Sequence, residues 1–275
     1  MTALIGKVAM ITGAARGVGR ATAVRFAEQG ADVVLVDVAR DIEGVPYALG
    51  TRSQLDETER LCRKSGAGVL VRVADVRDSE AVNEAVAAGI GRFGAIDALV
   101  NCAGIASPSG RIVHEISDAE WDLMIDIDLT GAFRAVRAVG AHMAARRSGS
   151  IVNVSSTAGM VGYRNFSGYV SAKHGLVGFS KAAALDYAPF KVRVNALCPG
   201  SVRDDALVEG AMLVEIARQL DVPTSEHEQI FVQSQPMNAL IEPSDVAEAA
   251  VWLASDASRN VTGTSLTVDG GFTAR

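Results

Sequence analysis

The chain is poor in cysteine and histidine and has no long apolar run, and each shortage removes a class of protein. Its three cysteines, Cys62, Cys102 and Cys198, are far apart and show no C-x-x-C spacing. An odd, scattered set gives neither a disulfide framework nor a zinc site, and it suits reduced thiols in a cytosol. His114, His142, His174 and His227 are equally dispersed, so no metal cluster is visible. No apolar stretch approaches the ~18 residues that a membrane helix needs. Met1 to Lys7 lacks a signal-peptide layout and runs straight into an apolar strand. Dense basic clusters are missing too, and the net charge of −6 leaves no electrostatic footprint for nucleic acid or a membrane surface. The expectation is a soluble cytoplasmic protein without a metal, nucleic-acid or membrane partner.

What is present is an ordinary globular composition, 49% hydrophobic and 21% charged over 275 residues, enough to bury a sizeable core. Short apolar runs alternate with helical patterns. Strands are expected at 7–11, 31–37, 69–74, 96–100, 150–154, 192–197 and 265–268. Helices are expected through Gln29 and over 54–64, 79–91, 118–145, 167–187 and 244–254, with Ser79 and Ser244 as caps. The helix from Asp118 is disturbed by Asp126, Asp128 and Gly131. This alternation predicts an α/β fold: one Rossmann-like domain with a doubly wound parallel sheet and helices on both faces. The pattern is lost over 39–53, where Gly44, Pro46 and Gly50 are turn formers. Connections in such units usually take 2–6 residues, so this is either a functional insertion or a surface loop. Residues 203–235 read as helix broken at Pro223 and suit a substrate lid. Leu207, Met212, Leu213 and Phe231 there either face an apolar alicyclic, terpenoid or steroid-like alcohol or pack the lid itself.

Several stretches carry chemistry. Between the first strand and helix stands Thr12-Gly13-Ala14-Ala15-Arg16-Gly17-Val18-Gly19. Glycines there let a pyrophosphate approach backbone at a helix N-terminus, although the spacing is G-x-x-x-G-x-G. Asp37 ends the second strand, where a carboxylate accepts ribose hydroxyls and repels a 2′-phosphate, favouring NAD over NADP. Arg16, within the cofactor loop, and Arg40 are mild signals the other way. Tyr169 and Lys173, four apart, share one helix face. An ammonium beside a phenol favours the phenolate, so the pair can move a proton at an alcohol or carbonyl oxygen. Taken alone, the spacing also fits a core Tyr and a solvated Lys.

Taken in order, these stretches resemble the short-chain dehydrogenase/reductase family. The matching residues are Thr12-Gly13, Gly17-Val18-Gly19, Asp75-Val76, Asn101-Cys102-Ala103-Gly104, Ser155-Ser156, Tyr169 with Lys173, and Pro199-Gly200. The resemblance implies a seven-stranded Rossmann-like sheet, NAD, a secondary alcohol or ketone substrate, and a homotetramer. It implies that Ser156 hydrogen-bonds the substrate oxygen, that Tyr169 shuttles the proton, and that Lys173 lowers the Tyr pKa and holds the nicotinamide ribose. Asp75 and Val76 would meet the adenine. Asn101, Ala103 and Gly104 would line the middle, and Pro199, Gly200 and Val202 would border the nicotinamide. Three departures stand out. Asp128 occupies the place of a family Asn, as a tuned relay or a brake on the enzyme; Asp204 stands where a Thr is usual, awkward beside pyrophosphate; Cys102 replaces a second Asn. The first two raise a second reading, an NAD-binding regulatory or assembly protein with impaired catalysis. The insertion, with Val45-Pro46-Tyr47-Ala48, is similar to carveol dehydrogenase-like, mycofactocin-associated members, in which a loop covers a tightly held NAD.

Overall fold

The computed structural model describes residues 2–204, 212–223 and 225–274. Its first half runs β1 (Val8–Thr12), α1 (Gly17–Glu28), β2 (Asp32–Asp37), α2 (Arg52–Lys64), β3 (Val69–Val73), α3 (Ser79–Phe93) and β4 (Ala98–Asn101). There follow α4 (Asp118–Ile125), a π-helical segment (Asp126–Thr130), α5 (Gly131–Arg146), β5 (Gly149–Val154), α6 (Ser167–Tyr187) and β6 (Val192–Pro199). The chain continues through α7 (Met212–Gln219), α8 (His227–Ser234), α9 (Pro243–Ala254) and β7 (Ser265–Val268).

The strands form one sheet in the order β3-β2-β1-β4-β5-β6-β7, parallel at every pairing. Parallel sheets are covered on both faces, which is why the strands read as continuous apolar runs. Successive side chains of β1 show the division. Ala9 and Ile11 join Phe26 of α1, Leu55 of α2 and Val246 of α9. Val8 and Met10 join Val86 of α3, Val139 of α5 and Ala183 of α6. Each fully buried large side chain in these layers stabilises the fold by about 1.5–3 kcal/mol. The strand order reverses between β1 and β4, and the crevice at such a switch point is where these sheets bind ligands.

Some local expectations change. Asp78, not Ser79, caps α3, accepting the N–H groups of Glu80 and Ala81 at 2.9 and 3.2 Å. Helix α9 begins at Pro243, and Asp245 accepts the Glu242 N–H at 2.9 Å, so Ser244 is not its cap. Pro suits a first helical position because its missing N–H would have no partner there. The disturbance after Asp118 is not a break but a π-helical segment in an otherwise continuous helix. Asp126 turns outward to Arg134 at 2.7 Å, whereas Asp128 is buried.

The stretch between β2 and α2 has no helix or strand, yet it is packed. Ile42, Tyr47 and Leu49 are buried with Val76, Ile105, Met124, Ile127 and Ala172. The Tyr47 hydroxyl accepts the Ala106 N–H at 3.0 Å, pinning the insertion to the loop after β4. Asp41 accepts the Leu49 N–H at 2.8 Å, and Thr51 with Gln54 forms a capping box that starts α2. The insertion is thus packed and hydrogen-bonded to its neighbours along the segment.

Candidate active site

The carboxyl ends of β1, β2, β4, β5 and β6 surround a cleft of about 310 Å³. At its floor, Gly13 and Gly17 have φ of +67° and +54°. A Cβ at Gly13 would lie 2.8 Å from the Ala103 nitrogen, and one at Gly19 would land on the Gly13 carbonyl oxygen. Gly17 differs, because nothing lies within 4 Å of where its Cβ would be. No side chain caps α1, and its first turn holds no acid. Exposed N–H groups and the helix dipole therefore face the cleft, a cradle for an anion. Val18 lines it as well.

Asp37 is buried at the end of β2 and accepts the N–H groups of Ala15 and Ala39, each at 2.9 Å. Each of its oxygens keeps a lone pair for a ribose hydroxyl. The two arginines that could claim a 2′-phosphate each have a neighbouring acceptor, and Arg40 stays exposed. Arg16 donates to the Ala48 carbonyl at 2.8 Å, and Arg40 lies 3.8 Å from Asp75. Burial pushes the Asp75 carboxyl up, but the hydrogen bonds of Arg77, at 2.7 Å, bring it below the usual range. An uncapped helix end, open space above a glycine and a carboxylate one strand away fit an NAD with its pyrophosphate on α1 and its adenosine ribose at Asp37. Val76, Ala103, Gly104, Pro199, Gly200 and Val202 also line the cleft.

Asn101 does not. It lies beneath, donating to Asn153 Oδ1 at 2.8 Å, so its side chain ties β4 to β5. The residue that shapes the neighbouring loop is Thr12, whose hydroxyl accepts the N–H groups of Cys102 and Ala103 at 3.2 Å each. A Thr at a strand end before Gly is the only sequence signal for this role. Tyr47 was legible only as part of an insertion.

Ser156, Tyr169 and Lys173 line the same cleft. Ser156 Oγ accepts the Ala158 N–H at 3.1 Å. Lys173 Nζ lies 5.5 Å from the Tyr169 ring centroid, donates to the Val154 carbonyl at 3.4 Å, and is 3.8 Å from Asp128 Oδ2. The net effect on the phenol is the reverse of the simple expectation. Burial raises the Tyr169 pKa, Lys173 pulls it down, Asp128 pushes it up and the Ser156 hydroxyl lowers it; the balance stays above the ordinary tyrosine value. Burial would lower the Lys173 pKa, but Asp128 and Tyr169 hold it above the usual lysine value. Lys173 is therefore an ammonium at neutral pH.

Asp204 has a structural task. Its two oxygens accept the Leu213 and Val214 N–H groups, each at 2.9 Å, capping the start of α7. Burial pushes its carboxyl up against these bonds. That removes one of the two motives for an impaired enzyme. Leu213 and Ile216 of α7 and Phe231 of α8 line the cleft, as do Thr157, Tyr163 and Phe166. Leu207 lies outside the described residues.

A fold and cleft of this kind define a dinucleotide-binding oxidoreductase. A family model described as Enoyl-(Acyl carrier protein) reductase matches residues 13–273. (-)-trans-Carveol dehydrogenase of Rhodococcus erythropolis is 41% identical, covering 99% of this chain and 99% of its own. Cis-4-hydroxycyclohexanecarboxylate dehydrogenase of Sinomonas cyclohexanicum is also 41% identical, over 98% and 97%. The crystal structure of carveol dehydrogenase from Mycobacterium avium in complex with NAD superposes with a TM-score of 0.92 at 36% identity, covering 99% of each chain. The chain belongs to the short-chain dehydrogenase/reductase family, whose model, two enzymes and one NAD complex all span its length. Among the described residues no helix is long and apolar enough to cross a membrane.

Proposed function

We propose that Ser156, Tyr169 and Lys173 carry out the acid–base step on an alicyclic or terpenoid secondary alcohol. The chain is an NAD-dependent oxidoreductase of secondary alcohols and their ketones. NAD, when bound, accepts or returns the hydride. Ser156 orients the substrate oxygen by a hydrogen bond. Tyr169 takes the hydroxyl proton in oxidation and gives it back in reduction. Lys173 holds the phenolate and the nicotinamide ribose. Gly13, Arg16, Gly17, Val18, Gly19, Asp37, Asp75, Val76, Ala103, Gly104, Pro199, Gly200 and Val202 hold the dinucleotide; Asn101 supports this set from below. The carrying observation is that Ser156, Tyr169 and Lys173 line one cleft with the glycine cradle and Asp37.

The apolar wall from Leu213, Ile216 and Phe231 supports the substrate class, as do relatives that act on carveol and a hydroxycyclohexane acid. Helices α7 and α8, the described helices of the 203–235 region, form the lid over this substrate. We also place the protein in the cytoplasm, as a homotetramer. Exposed Phe133 on α5, Leu185 on α6 and Trp252 on α9 support self-association.

The test is nicotinamide absorbance with NAD and a panel including carveol, cyclohexanol and cis-4-hydroxycyclohexanecarboxylate. Tyr169→Phe should abolish turnover and spare NAD binding; unchanged turnover rules out the role of Tyr169. Native mass spectrometry reads subunit count and retained cofactor together.

A further inference from the structure

Asp128 is almost completely buried, at 1% exposure, a state ionisable groups rarely occupy without a reason. The π-helical segment turns it inward. Its Oδ1 accepts the Ile105 N–H at 2.7 Å. Its Oδ2 has no hydrogen-bond partner among the described residues and faces Lys173 Nζ at 3.8 Å. Gly104 closes over both groups, since a Cβ there would be 2.9 Å from Asp128 Oδ1 and 3.2 Å from Lys173 Nζ. Holding up Ile105 needs one acceptor, which an uncharged amide supplies equally well. The second oxygen, left against an ammonium, is what calls for explanation.

We propose that the Asp128 carboxylate is a positioning residue that partly neutralises Lys173, weakening its pull on the Tyr169 proton, so that the phenolate forms only at more alkaline pH. This rests on Tyr169 being the proton exchanger. The titratable groups facing Asp128 are Lys173 and Tyr169 from α6 and Tyr47 from the insertion. Asp126, on the same segment, is turned away onto Arg134. Cys102 and Cys198 stand beyond Lys173, and burial pushes their thiols up to about 12 and about 11, so neither adds charge at neutral pH. Burial raises the Asp128 carboxyl to about 6, opposed by Lys173 and the Ile105 N–H. A carboxyl of that value is a carboxylate at the alkaline pH where the phenol titrates. A negative charge near a phenol disfavours phenolate directly, and paired with the ammonium it cancels part of the attraction.

Asp128→Asn keeps an oxygen for the Ile105 N–H and removes only the charge. Protein labelled with 13C at the tyrosine ring carbon bearing oxygen gives four signals, one per tyrosine, and Tyr169→Phe identifies the one that matters. In Asp128→Asn the Tyr169 titration should move down by about one pH unit, the low end of what one nearby charge does. The signals of Tyr163 and Tyr187 should stay put. With a turned-over alcohol, the acid limb of kcat/KM for oxidation should move by the same amount. Should Asp128→Asn not fold, Asp128→Ser, smaller and also uncharged, must shift Tyr169 in the same direction. A Tyr169 titration that stays fixed or moves up overturns the proposal. The signal titration needs no substrate, so it reads Asp128 even if the proposed function fails. Turnover surviving in Tyr169→Phe would instead overturn the proton-exchange assignment.

Discussion

One hydrogen bond that ties the segment between β2 and α2 to the loop after β4 can be removed by deleting a single atom. Tyr47→Phe deletes the hydroxyl that accepts the buried Ala106 N–H at 3.0 Å and keeps the ring that packs with Ile105 and Met124. Because burial pushes this phenol far above the ordinary tyrosine value, it is neutral at any working pH, and no charge effect confuses the result. A buried N–H left without an acceptor costs about 1–3 kcal/mol. Ile42, Leu49 and Gly50 line the cleft from the same segment, so its undocking opens the adenine half. If dinucleotide exit requires that undocking, the lost bond should speed release by roughly 5- to 150-fold, at 1.4 kcal/mol per tenfold. Stopped-flow displacement of NADH by excess NAD measures this, and Tm should fall by a few degrees. A lower Tm with unchanged release would show that the insertion is off the exit route. No change in either would show that the Tyr47–Ala106 bond holds nothing.

Two further outcomes follow from particular contacts. Gly104→Ala drives a methyl against both Asp128 and Lys173, so kcat should drop at least about tenfold, as misplacement of reacting groups by fractions of an ångström does; circular dichroism should show the fold intact, and full activity would mean that the pair tolerates displacement. Asp204→Ala strips two first-turn N–H groups of α7 of their acceptor, at about 1 kcal/mol for a lost cap. It should raise KM for the alcohol several-fold while leaving the Kd for NAD within about twofold, measured by initial rates and calorimetry; the reverse pattern would put Asp204 at the dinucleotide.

The sheet was readable because a strand buried on both faces must be apolar throughout, and Val8–Thr12 and Asp32–Asp37 are. The cradle was readable because Gly13 and Gly19 sit where any Cβ collides with backbone, and Asp37 because a carboxylate at a buried strand end needs donors. Helical spacing put Tyr169 and Lys173 on one face, and the glycine loop and strand-end motifs singled the pair out from a core Tyr with a solvated Lys. Less was visible where partners are distant in sequence. Nothing near Asn101 announces Asn153, 52 residues on. Nothing near Asp204 announces the start of α7. Nothing near Tyr47 announces Ala106. The sign of the effect on Tyr169 was hidden for the same reason, since burial and Asp128 act through tertiary contacts that spacing does not encode.

The π turn at Asp126–Thr130 has an evolutionary corollary. One residue more or less in a helix rotates everything beyond it by about 100°. Deleting a residue there to restore the α pitch would swing either Asp128 off Lys173 or the stripe of Ala135, Val139 and Met143 off the sheet. The charge beside Lys173 and the phase of a core helix are thus inherited together, and mutation can tune the first by substitution but not by changing chain length.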